Sequence, residues 1–68
     1  MDRKEFELQD GDRVELQDGG KLVRGTVIGY DWGSSFTSVR LDGDGRCTGN
    51  YSYYMRLLSP LETFIEQV

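Results

Sequence analysis

Leu22-Val23-Arg24-Gly25-Thr26-Val27-Ile28-Gly29-Tyr30 is the longest strand-forming run in the chain, and two glycines interrupt it. β-Branched and aromatic residues fit an extended, half-buried backbone, whereas glycine weakens one. A glycine inside such a run marks a bend, a bulge or a close backbone approach. A strand shared by both sides of a small barrel must bend sharply, and Gly25 and Gly29 permit that. This stretch therefore predicts a long, bent strand within a mainly β domain.

Shorter strands flank it. Upstream, Val14 and Leu16 alternate with Arg13, Glu15 and Gln17, the period of a half-buried strand. Asp18-Gly19 joins the two as a tight hairpin, because both residues accept the positive φ such turns demand. Downstream, residues 36–41 place Val39 and Leu41 on one face and Ser38 and Arg40 on the other. Asp42-Gly43-Asp44-Gly45 turns the chain into a fourth strand over 47–53, and a short fifth follows over 55–58. The predicted core is Val14, Leu16, Val23, Val27, Val39 and Leu41. Strands this short, joined by Gly-rich turns at this spacing, read as a small five-stranded barrel or sandwich.

The ends differ from the middle. Ser59-Pro60-Leu61-Glu62 combines an N-cap serine, proline at the first helical position and glutamate three residues after the cap. Leu61, Phe64, Ile65 and Val68 then fall at helical spacing, and this stripe is expected to bury against the barrel or another copy. The organisation is one domain: residues 1–10 an N-terminal extension, 11–58 the barrel, 59–68 a short helix. Glu7-Leu8-Gln9-Asp10-Gly11 recurs as Glu15-Leu16-Gln17-Asp18-Gly19. A period of eight is too short for stacked repeats and predicts two similar strand-then-turn elements.

A chain of 68 residues builds a small core and has little stability to spare. An internal disulfide is excluded, since Cys47 is the only cysteine, and zinc is not expected without histidine. One unpaired thiol fits a reducing compartment. Met1-Asp2-Arg3-Lys4-Glu5 is charged, with no apolar run behind it as a signal peptide requires. No apolar stretch approaches the roughly 18 residues that span a bilayer. The expectation is a cytoplasmic protein with no membrane contact. Net charge is −4, unlike the basic footprint of a nucleic-acid binder. Residues 19–56 nevertheless sum to +2, with Lys21, Arg24, Arg40, Arg46 and Arg56 against Asp31, Asp42 and Asp44.

Catalytic chemistry is poorly provided for, so no enzyme, cofactor or metal is expected. Histidine, the ordinary general base near neutral pH, is missing. Cys47 reads as a buried structural thiol with no partner to activate it. The pairs Asp10/Asp12 and Asp42/Asp44 lack the further oxygen ligands and closing glutamate of a calcium loop, and turn chemistry accounts for both. The aromatics are the better candidates. Six of the eight lie in two short stretches: Tyr30, Trp32 and Phe36 around the Gly-Ser loop, and Tyr51, Tyr53 and Tyr54 at the end of the fourth strand. Stiff rings with polar tips suit a binding surface. Counted outward from the Asp42–Gly45 turn, Phe36 and Tyr51 are expected to meet across the ladder. The predicted site is Tyr30, Trp32, Phe36, Arg40, Tyr51, Tyr53 and Tyr54.

Gly11-Asp12-Arg13-Val14, Gly25-Thr26-Val27-Ile28-Gly29-Tyr30 and Val39-Arg40-Leu41-Asp42 together resemble SH3-like barrels of the KOW/Tudor kind, over residues 11–58. A narrower likeness is to the type II, plasmid-borne dihydrofolate reductases, SH3-like tetramers around a central pore. Their Val-Gln-Ile-Tyr pore strand corresponds here to Asn50-Tyr51-Ser52-Tyr53, which keeps the tyrosine and loses the glutamine and isoleucine. The resemblance thus implies the fold and not the reductase activity. The expected function is a non-catalytic, acidic binding module contacting a protein partner through the aromatic patch, as an accessory or inhibitory protein. One alternative sets Arg24, Arg40, Arg46 and Arg56 on phosphates with Tyr51 and Tyr53 stacked on bases. Another is a homo-oligomer holding a nucleotide or small ligand at a symmetric interface.

Overall fold

A computed structural model describes residues 8–66. It is mainly β: β1 (Arg13–Asp18), β2 (Lys21–Tyr30), β3 (Phe36–Leu41), β4 (Cys47–Tyr51) and β5 (Met55–Leu57), followed by helix α1 (Pro60–Glu66). The strands form one sheet in the order β4-β3-β2-β1-β5, each antiparallel to its neighbours. The ladder does not close, so β4 and β5 are its edges. Val68 and the proposed extension up to residue 7 lie outside the described residues.

Local chemistry sets this path. Gly19 and Gly20 both have positive φ (60° and 84°) between the paired Asp18 and Lys21, the two-residue hairpin whose twist suits its strands. Gly25 is buried, and a Cβ there would lie 2.5 Å from both the Arg40 carbonyl oxygen and Val39 Cγ1. β3 crosses so closely only because that side chain is missing. Beyond it the register slips: Val27 faces Val39, but Gly29 faces Ser38. Ile28 is thus the extra residue of a bulge, which reverses the alternation and turns Tyr30 towards the core.

Leu8, Val14, Leu16, Val27, Val39 and Leu41 form the core cluster, with Val23, Tyr30 and Met55 packed half-buried against it. Val14, Val27 and Val39 are essentially inaccessible, each contributing about 1.5–3 kcal/mol by leaving water. Leu8 joins from the segment read as an extension. The turn behind it is hydrogen-bonded to β2, Gly11 N–H donating to the Val27 carbonyl at 2.8 Å. The short repeat has a physical counterpart here, since Leu8 and Leu16 are both core, and Gly11 and Gly19 both have positive φ.

Three expectations are corrected. β4 stops at Tyr51, and a 3₁₀ turn over Ser52–Tyr54 replaces the end of the expected strand. Cys47 is exposed: it pairs with Arg40, whose face of the sheet points away from the core. The apolar stripe of α1 is not buried. Leu61, Phe64 and Ile65 are 61–68% exposed, and the helix contributes no buried residue.

Candidate functional site

The register of β3 and β4 builds the site. Phe36 pairs with Tyr51, Ser38 with Gly49 and Arg40 with Cys47, all on the outer face. A Cβ on Gly49 would fall 2.5 Å from Phe36 Cζ, so the Phe36 ring lies directly over this glycine. Its neighbour Tyr51 meets it edge to face, centroids 5.8 Å apart at 88°. The 3₁₀ turn continues the row. Tyr51 and Tyr53 stack in parallel at 5.4 Å, and Tyr53 meets Tyr54 at 4.8 Å. An extended strand would have pointed Tyr54 away; the turn brings it in.

The second group lies at the loop between β2 and β3. Trp32 stands edge-on to Tyr30 at 5.7 Å, so the rings associate as Tyr30 with Trp32 and as Phe36 with Tyr51, Tyr53 and Tyr54. Trp32 and that four-ring row are 40–65% exposed, whereas Tyr30 is half-buried against the core. Asp31 holds the loop: its carboxylate accepts from Gly33 N–H and Ser34 Oγ, both at 2.9 Å. The Gly33 bond chiefly, and Ser34 next, hold its pKa below the ordinary carboxylate value. Ser35 adopts φ 67°, and its carbonyl accepts from Ser52 N–H at 2.9 Å, which fixes the 3₁₀ turn to this loop.

Arg40 borders the row on the same face and makes no ion pair with any described residue. The other described arginines are engaged. Arg13 makes a bidentate pair with Asp42 and bonds Glu66 at 3.0 Å. Arg24 meets Glu15 and Glu66, Arg46 meets Asp18 and Asp44, and Arg56 meets Glu15 and Glu62.

A recess of about 400 Å³ opens beside Tyr54, lined also by Gln17 and Asn50. Asn50 Oδ1 accepts from Tyr51 N–H at 2.8 Å, so its amide nitrogen remains to donate. Neither Gln17 nor Asn50 stood out in the sequence; only the fold sets these amides beside an aromatic row. Ser52 Oγ is buried and has no hydrogen-bond partner among the described residues. No cluster of three or more Cys, Asp or Glu able to hold a metal ion occurs among the described residues, and none of their helices is long and apolar enough to cross a membrane. No protein-family model matches the chain, and no curated protein or solved structure matches it significantly.

Proposed function

We propose that this chain is a small, non-catalytic binding module that grips a protein partner through the row Phe36, Tyr51, Tyr53 and Tyr54, with Trp32 and Arg40 at its border. The observation that carries this is a row of four exposed rings, each in contact with the next and the first lying over Gly49, while a separate aliphatic cluster serves as core. Contiguous exposed apolar surface of this kind marks interaction sites. Tyrosines ordered by stacking also lose little freedom on binding, which makes them effective anchors. The strand order, with β5 returning to β1, supports the SH3-like reading of the fold.

The test is affinity capture from the native host with mass-spectrometric identification, repeated with Tyr51→Ala and Trp32→Ala. Tyr51→Ala should weaken the identified complex by about 30-fold or more, the loss typical of a central anchor. Both variants should melt close to the parent. Variants unfolded at room temperature would mean that the rings are core, and the patch would then have no binding role.

A further inference from the structure

Helix α1 sits the opposite way round from an ordinary surface helix. Its acids face the protein: Glu62 reaches Arg56 at 2.8 Å, and Glu66 reaches Arg13 and Arg24, each at 3.0 Å. Its apolar residues Leu61, Phe64 and Ile65 face away. The result is an exposed apolar strip whose neighbouring carboxylates are turned inward. Alongside it runs a groove of about 520 Å³ lined by the apolar Leu57, Leu58, Pro60 and Phe64, with Asp12 and Arg13 among its polar residues.

We infer that this strip and groove form the interface between two copies of the chain, packed about a two-fold axis. Such an interface must be self-complementary, because each copy presents the same patch to the other. Here the exposed Phe64 forms a wall of the groove itself, so a two-fold axis that brings two α1 strips together sets each helix against its partner's groove. Charge favours the same face. Two chains of net charge −4 repel each other, and like charges brought together suppress docking. Along α1 Glu62 and Glu66 are already paired with arginines of their own chain. Asp12 in the groove accepts from Gln9 N–H at 2.9 Å. Among the described residues, no carboxylate on this face is thus left bare to oppose the second copy. Domains of this size commonly need such support. The aromatic row, on β3, β4 and the turn after them, stays free for a different protein.

Sedimentation equilibrium on the full chain, from micromolar to millimolar, tests this. The expected result is a mass rising from one chain to two and stopping there. Phe64→Glu should weaken the dimer by more than about tenfold, as should the milder Ile65→Gln, while Tyr51→Ala leaves it unchanged. Circular dichroism identifies a variant that has lost its fold, and Ile65→Gln then provides the reading. A monomer throughout, whatever else covers the strip, overturns the inference. So does a mass that keeps rising, or a dimer sensitive to Tyr51→Ala and indifferent to both helix variants.

Discussion

Gly25 and Gly29 look equivalent in the sequence, and the fold separates them. A methyl group at Gly25 would collide with the β3 backbone, whereas at Gly29 the nearest atom is 3.9 Å away. Gly25→Ala should therefore cost on the order of 1–3 kcal/mol, as overpacked cores do, and Gly29→Ala very little. Urea midpoints measure both, and equal midpoints would remove the close approach as the reason for Gly25. Gly49 makes a different forecast. Phe36 is exposed, so Gly49→Ala can push its ring aside with little loss of stability while separating it from Tyr51. Binding of the captured partner should fall although no ring has been removed; unchanged affinity would take Phe36 out of the site. The pairing of Phe36 with Tyr51 was legible, because counting residues from the Asp42–Gly45 turn fixes it. The same count puts Cys47 opposite Arg40 on the outer face, and the general tendency of cysteine towards burial pointed the wrong way. Tyr30 was only half legible: Gly29 announced a bend or bulge, which the register shift between Val27 and Gly29 bears out. A glycine does not say, however, that the extra residue falls before Tyr30 and turns that ring inward.

At the scale of elements, α1 shows where periodicity stops informing. Its start was readable from four residues. Glu62 N–H donates to Ser59 Oγ and Ser59 N–H to Glu62 Oε1, both at 3.1 Å, a complete capping box. Ser59→Ala should cost about 1 kcal/mol, measured as a lower urea midpoint with reduced helical ellipticity; an unchanged midpoint would mean that the cap contributes nothing. Which face docks was not readable, since an amphipathic pattern defines two faces and not the surface they meet. That surface carries Arg13, Arg24 and Arg56, far apart in sequence and assembled only by strand register. Arg56 chiefly, then Ser59 N–H, lowers the pKa of Glu62 from 4.5 to about 2, and Arg13 chiefly lowers that of Glu66. A carboxylate with a depressed folded pKa stabilises above its unfolded value and loses that contribution as pH falls through the folded one. The hold on α1 should thus persist above about pH 4.5 and weaken progressively towards pH 2. Far-ultraviolet circular dichroism should show helical signal falling in that window, with Glu62→Gln already reduced at neutral pH. Helical content independent of pH, and equal in the two proteins, would show that ion pairing does not hold the helix.

Across the whole molecule, folding redistributes charge in a way that segment sums cannot capture. Residues 19–56 carry a surplus of bases, yet the carboxylates that meet them come partly from either side: Glu15 and Asp18 from the first strand, Glu62 and Glu66 from the helix. Of the four arginines a nucleic-acid reading requires, Arg24, Arg46 and Arg56 are already paired, and only Arg40 makes no ion pair among the described residues. Each phosphate neutralised on a single strand contributes about −0.7 to the slope of log affinity against log salt. One available guanidinium gives a shallow slope and weak binding, even with Tyr51 and Tyr53 stacked to receive bases. Fluorescence anisotropy with a labelled single-stranded oligonucleotide should therefore show no saturation at micromolar protein in physiological salt. Glu62→Gln combined with Glu66→Gln releases Arg13, Arg24 and Arg56 from α1 and should produce binding with a steeper slope. Micromolar affinity in the parent protein, with a slope of about −2 or beyond, would mean that phosphate displaces those carboxylates. The aromatic row would then be a stacking platform for bases rather than an anchor for a protein partner.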